Sequence, residues 1–428
     1  MPKFMSPPSV STGQFLRVEW RFLLFGVAMA FSSSLGQTYF ISLFSGHIRA
    51  ALALTHGDFG TYYAIATTCS AITLLWLGKL ADTMRVERLA LLVISGLAIA
   101  AMLFSQVFSV VSLIFGLYLL RLFGQGMTTH TYVTAMARRY VVARGRAISI
   151  ATLGMNAAES IGPASVVALM TIIDWRMVWL ILPVGMWLLL APALRHLTKR
   201  TALQDGPGLD GIDQADTAPP SEADIAASYG DVKQWRRAEV IRDSRFWGGL
   251  LGLQLVPNFT MTGIMFHQIY LAEVKGVPLT QWTASYVIYA VCAVIGGLIA
   301  GQLVDRFTAR RVAPLTMLPM AAACLTLWVG DAGLGVTLFF VCMGFAAGMP
   351  FTAHAALISE LYGTRYLGEI KSIFLPAGVF ASALSPMVMG ILIDANFDLS
   401  VLMGLNLALA LSATISAIVT FAITNHQR

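Results

Sequence analysis

The segment GKLADTMRVER beginning at Gly78 returns at Gly301 as GQLVDRFTARR, and each copy sits at the foot of a long apolar run. The same offset of 223 residues carries Leu80 to Leu303, Asp82 to Asp305, Arg88 to Arg311, Cys69 to Cys292, Gly145 to Gly368 and Pro163 to Pro386. One spacing held over about 95 residues makes the chain two copies of one apolar unit. Paired membrane repeats are how secondary transporters build a site that can face either side.

Composition places both copies in a bilayer. Hydrophobic residues make up 57% of the chain and charged residues 12%, about half the charged share of soluble domains. Twelve runs are long enough to cross the hydrocarbon layer of about 30 Å. They cover 22–44, 59–77, 89–108, 110–132, 147–170 and 178–194, then 246–271, 284–303, 312–329, 334–358, 372–393 and 399–423. Without water to satisfy the backbone, runs of this length must be helical. The expected fold is an all-α membrane protein, twelve transmembrane helices in two pseudo-symmetric six-helix bundles. Residues 1–194 form the first bundle, 195–245 a cytoplasmic linker and 246–428 the second bundle.

Charge orients the chain. With the N-terminus in the cytoplasm, the inner segments hold 24 of the 28 basic residues, and the outer loops keep only Arg49, Arg176 and Lys275. The positive-inside rule then puts both termini in the cytoplasm of a multi-pass plasma-membrane protein, an inner-membrane protein in a bacterium. It also accounts for the net charge of +6 without nucleic acid, because the excess faces anionic lipid. The first apolar run, at 23 residues, is too long for the core of a signal peptide and is expected to stay as a helix. Cys69, Cys292, Cys324 and Cys342 fall inside runs, which disfavours disulfides and suits buried thiols. Residues 201–231 are rich in Asp, Gly, Pro and Ala and read as a disordered or partly ordered linker. The VKQWRRAEVIRDSR that follows is basic and amphipathic, the pattern of a helix lying on the inner membrane surface.

Twelve runs in two halves, a long central linker and GxLxD after the second run resemble the major facilitator superfamily from about Arg21 to Ile423. Where that family usually has Arg, Gly and Arg after the acid, this chain has Thr83, Arg85 and Val86. The second copy keeps Arg306 and Arg310, with Thr308 in place of Gly. The resemblance implies that Gly78, Asp82, Gly301, Asp305 and Arg306 belong to a conformational latch on the cytoplasmic side, which in the family favours the outward-open state. On physical grounds, Gly78 and Gly301 permit close helix approach, and Asp82 and Asp305 sit at helix ends among cations. LRLFGQG at 120–126 resembles the family's fourth-helix pattern with an intramembrane arginine. GMNAAESIGP at 154–163 resembles part of its fifth-helix antiporter pattern, of which only the Gly162–Pro163 pair is intact. Gly154, Ala158 and Gly162 also form a smooth packing face at four-residue spacing.

Arg121 and Glu159 are the only charged residues inside the twelve runs. Each lies about 16 to 18 Å from the end of its helix, near the midplane of antiparallel neighbours. A charge at that depth needs a partner or a cavity. Either the two form a structural ion pair or they line a central cavity, Arg121 as anion contact and Glu159 as proton-coupling or substrate site. Gln37, Gln125, Gln254 and Asn258 are further substrate-contact candidates, and Pro257 is placed to open the backbone of helix seven. His130, His267 and His354 lack metal-ligand spacing and read as packing or interfacial residues.

No hydrolase or zinc-protease motif is visible, and no GxxxxGK[ST] loop that would bind ATP, so neither catalysis nor a cofactor is expected. The expected function is secondary active transport of a small molecule by alternating access, without an enzyme activity and as a monomer in lipid. Proton-coupled uptake of a small organic anion such as a carboxylate leads. Proton-driven efflux of drugs or amphipathic compounds is the alternative, and a receptor or structural membrane protein is the alternative of another class. The charge split makes a direct prediction about topology. An alkaline phosphatase reporter fused after Gly208 should be inactive and one fused after Gly276 active. The reverse pattern would invert the orientation.

Overall fold

The computed structural model describes residues 12–140, 143–198, 233–363 and 365–425. Among them are twelve long helices: α1 (Thr12–Ser32), α2 (His56–Leu77), α3 (Val86–Ser105), α4 (Val110–Arg139), α5 (Arg144–Met170) and α6 (Trp175–Leu197) in the first half. The second half has α7 (Phe246–Phe266), α8 (Leu279–Phe307), α9 (Ala309–Val329), α10 (Leu334–Tyr362), α11 (Leu367–Asp394) and α12 (Leu399–Asn425). No strand occurs among the described residues.

Ten of these helices are long and apolar enough to cross a membrane; α2 and α5 are as long but less apolar. The reason is their position, since α2 packs along α11 and α5 along α8, so each faces the other half rather than lipid alone. Helix starts are fixed locally. Thr55 and Asp58 close a reciprocal cap at the head of α2, and Ser109 and Ser112 do so at α4. Small residues set the closest crossings: a side chain at Gly154 would run into the Val27 carbonyl of α1, and one at Gly348 into the Ala293 carbonyl of α8.

The buried apolar residues divide in a way that fixes the overall state. One core draws on both halves, from Tyr39, Phe44, Phe59 and Trp179 to Phe266, Trp282, Tyr286 and Met389. A second core, from Phe15 to Leu197, belongs to the first half alone. A third, from Val240 to Phe421, belongs to the second half alone. The two separate cores lie at the arginine-rich ends of the bundles, and the shared one lies at the opposite, far end. Among the described residues, the halves therefore share a core at the far end and have separate cores at the basic end.

Three sequence expectations are corrected here. Helix α1 begins at Thr12, ten residues before its apolar run, so Glu19 lies inside it, 3% exposed. Its carboxylate accepts from Arg139 Nε at 3.0 Å and from the Tyr140 hydroxyl at 2.6 Å, tying α1 to the end of α4. Charge pairing lets an acid extend an otherwise apolar helix, which a hydropathy run misses. Second, Pro257 does not open α7: the helix continues from Leu251 to Phe266, and Asn258 Nδ2 donates to the Gln254 carbonyl at 2.7 Å within the proline turn. Third, the basic segment before α7 is helical only from Arg237 to Ile241. It docks on the second bundle. Trp235 N donates to the Tyr362 carbonyl at 3.0 Å, and the Arg245 guanidinium stacks 4.9 Å over the Trp235 ring. The expected disorder of 201–231 lies outside the described residues. All four cysteines are free, with Cys324 buried and Cys69 exposed.

Glu19→Ala should leave the Arg139 charge buried with its acid removed, a change that costs about 3–5 kcal/mol in comparable buried pairs. Thermal unfolding in detergent should show a marked loss of stability, with Glu19→Gln falling between. Wild-type stability in Glu19→Ala would mean the pair is not stabilising.

Candidate functional site

Where the two halves meet, α1 is broken. A short tight turn at Ser33–Gly36 follows the helix, and Gln37 is extended (φ −84°, ψ 150°) before the chain coils again at Thr38–Ile41. The break is set by close packing. A Cβ on Gly36 would lie 2.7 Å from Gly124 Cα, and one on Gly124 would lie 2.6 Å from Gly36 Cα. Gly124 belongs to a widened turn of α4, Arg121–Met127, whose loosened Phe123 carbonyl accepts from Thr128 Oγ1 at 2.6 Å. The LRLFGQG segment therefore brings α4 against the broken backbone of α1.

Arg121 fills that junction. It is 2% exposed, its Nη1 donates to the Gly36 carbonyl at 3.0 Å, and its guanidinium lies 5.1 Å from the centre of the Tyr63 ring. The Tyr63 hydroxyl in turn pairs with Thr38 Oγ1 at 2.7 Å, beyond the break. Arg121 Nε is buried without a hydrogen-bond acceptor. No ion pair joins Arg121 to an acid among the described residues, so the structural Arg121–Glu159 pair is not formed here.

Glu159 stands half-buried on α5 at the bundle interface. Across the interface it faces the phenols of Tyr289 and Tyr286 on α8, with Tyr39 of the outer piece of α1 close by. Farther out, Tyr286 donates to Gln268 Oε1 at 2.9 Å, and Gln268 Nε2 donates to the Tyr39 carbonyl at 2.8 Å and to Ser42 Oγ at 2.7 Å. Ser42 Oγ donates to the Met265 carbonyl at 2.7 Å. This lid of tyrosines and amides covers the carboxyl from the far end.

The other candidates are spread over both halves. Gln37 is buried with its amide 3.9 Å from the Met155 sulfur of α5, and Gln125 is half-buried in the widened turn. Gln254 and Asn258 sit one turn apart on α7 against Gly378 of α11. Among the described residues no hydrogen bond joins the two amide pairs. Gly78 caps α2 with its carbonyl 3.0 Å from His130 Nε2, and a Cβ on Gly301 would meet the Thr352 methyl at 3.8 Å. Asp305 and Arg306 are exposed, and the Asp82 side chain lies outside the described residues. His267 and His354 bond the Pro386 carbonyl (2.9 Å) and Thr316 Oγ1 (3.2 Å), as packing residues do.

Sequence reasoning missed Tyr39, Tyr63, Tyr286, Tyr289, Gln268 and Asp394. One signal was present, because the repeat offset carries Tyr63 onto Tyr286. Asp394, at the end of α11, gave none. Its carboxylate accepts from His56 N at 3.0 Å and Gly57 N at 2.7 Å, so it caps α2 from the opposite bundle.

A family model described as Major Facilitator Superfamily matches residues 26–296 and 250–428. A bacterial homologue of the human lysosomal transporter Spinster, solved in an inward-facing and unoccupied conformation, superimposes with a TM-score of 0.63. It shares 16% identity over 94% of each chain. The nucleoside transporter NupG superimposes with a TM-score of 0.67 and 12% identity over 95% of this chain and 99% of that one. At these identities the likeness is one of fold. Comparison with curated proteins finds no match.

Asp394→Ala removes two charge-assisted hydrogen bonds that hold the far end shut, each worth about 1.5–3 kcal/mol. With the native cysteines replaced by serine, a reporter at Ser45→Cys, in the closed far-end contact, should react with an impermeant maleimide on the order of tenfold faster. Unchanged labelling would make the cap incidental.

Proposed function

Because the chain belongs to the Major Facilitator Superfamily, a family of secondary transporters and not of enzymes, we propose that it takes up a small organic anion together with a proton. Arg121 is the anion contact and Glu159 the proton site. The observation that carries this reading is a buried guanidinium that has a carbonyl and a ring as neighbours but no acid, with one N–H lacking an acceptor. A buried cation without a counter-charge is costly, and a carboxylate substrate would supply the charge and the missing acceptor together. Gln37 and Gln125, close to the same break, and Gln254 and Asn258 on the other half are the neutral contacts.

Glu159 couples the proton through its partner. An ionised carboxylate is a strong acceptor for the facing Tyr289 phenol and would link α5 to α8; a protonated one is a weaker acceptor. A contact whose strength depends on protonation and on the bundle arrangement shifts the balance between conformations. With the basic end in the cytoplasm, the far-end closure corresponds to an inward-facing state. The Gly78–Asp82 and Gly301–Asp305–Arg306 latch would engage in the opposite state, in keeping with the exposure of Asp305 and Arg306 here.

Purified protein in proteoliposomes tests the reading. Glu159→Gln should abolish accumulation driven by a pH step and preserve exchange of substrate down its own gradient. Arg121→Lys, which keeps the charge but loses the planar fork, should weaken substrate binding at least tenfold, consistent with about 1.5–3 kcal/mol for a charged hydrogen bond. A pH-driven Glu159→Gln would move the proton site elsewhere. A cationic substrate would replace uptake by efflux of amphipathic compounds, with Glu159 as the contact.

A further inference from the structure

At the basic end, between the start of α3 and the end of α6, lies a groove of about 500 Å³. Arg85, Arg88 and Arg195 line it, with Leu91, Ala191 and Leu194 as its apolar wall. Glu87 is its one acid, paired to Arg195 with Nε to Oε1 at 3.3 Å, which leaves the groove two positive charges in excess. That pair is exposed and weak, since the Arg195 side chain is 87% exposed. Arg85 and Arg88 are exposed and have no ion-pair partner among the described residues. Arg85 also sits at the N-cap of the 20-residue α3, whose first-turn amides add to the positive potential.

We propose that this groove binds the phosphate headgroup of an anionic phospholipid in the leaflet at the basic end. The phosphate chemistry alone would also suit a soluble phosphate, but the apolar surface argues for a lipid. Leu91 on the groove wall and Leu92, Leu188 and Leu189 along the same two helices are 41%, 41%, 59% and 75% exposed. An acyl chain therefore has apolar surface to lie on directly beside the cationic groove. Helices α3 and α6 pack on each other within the first bundle, so the site is separate from the Arg121–Glu159 region. Basic grooves between helices at the membrane surface are suited to such headgroups.

The test uses the full chain in neutral detergent, with thermal unfolding followed in the presence of phosphatidylglycerol, phosphatidylcholine or glycerol 3-phosphate. Phosphatidylglycerol should raise the midpoint, and the other two should not. Arg88→Gln should weaken the apparent affinity for phosphatidylglycerol about fivefold, and Arg85→Gln/Arg88→Gln/Arg195→Gln roughly a hundredfold. Arg237→Gln, an exposed arginine elsewhere at the basic end, should bind as wild type. If the triple variant fails to fold, Arg88→Gln and the headgroup comparison still decide. Equal stabilisation by phosphatidylcholine, reproduction of the shift by glycerol 3-phosphate, or wild-type affinity in the arginine variants would each overturn the proposal.

Discussion

In hydrocarbon, a backbone carbonyl without a donor costs several kcal/mol, and the Gly36 carbonyl at the break in α1 is where this chain meets that constraint. Arg121 answers it with a hydrogen bond of 3.0 Å. For the guanidinium to reach, α4 must come within glycine distance of α1, which Gly36 and Gly124 allow, and must widen its own turn, which Thr128 stabilises. Tyr63 supports the guanidinium from α2 and holds Thr38 on the far side of the break. One interaction thus fixes three helices, and it also aims the outer piece of α1. That piece carries Tyr39 and Ser42, whose bonds to Gln268 and Met265 join the halves. The far-end closure depends on how the break is held.

Much of the architecture was legible in the sequence, for physical reasons. Hydrocarbon leaves the backbone no choice but helix, so apolar length locates the spans, and duplication shows as a constant offset. The failures share a cause, in that each depends on a partner distant in sequence. Glu19 extends α1 because Arg139 and Tyr140 neutralise it, a pairing that hydropathy cannot register. An opening of α7 was expected at Pro257 from its missing amide, yet α7 continues there, and it is α1 that breaks, at Gly36–Gln37, where helix contact and not local chemistry decides. Asp394 reads as the acid at the end of a helix until α2 is placed beside it. Arg121 and Glu159 stood out as buried charges, but their actual neighbours, a carbonyl and a ring of tyrosines, needed the fold.

The duplication also shows what has been specialised. Tyr63 corresponds to Tyr286, and both lie in the shared far-end core. The ionisable pair has no such echo. Arg121 corresponds to Gly344, which packs against the Tyr289 carbonyl, and Glu159 corresponds to Ser382. Ser382 shares a hydroxyl contact of 2.9 Å with Thr262, the counterpart of Tyr39. Where the first half places charge, the second places a small residue or a neutral hydroxyl. The two intramembrane charges, Arg121 and Glu159, thus sit on the first bundle, and the second meets Glu159 with the phenols of Tyr286 and Tyr289.

That asymmetry bears on how a proton can move two bundles. Besides the outer piece of α1 against α7, the halves touch along two edges among the described residues, α2 with α11 and α5 with α8. On the first edge the fastening is Asp394 on the amides of His56 and Gly57, a contact made at the far end and remote in the fold from Glu159. On the second, Glu159 faces the Tyr289 phenol, and under the proposed mechanism the strength of that contact follows the charge on the carboxyl. Under the proposed mechanism the proton acts on one edge only. The α2–α11 edge then serves as a fixed closure whose strength sets the resting balance, and the α5–α8 edge supplies the increment that protonation changes. A coupling device needs both: a closure too strong would leave the proton unable to open it, and one too weak would open without the proton.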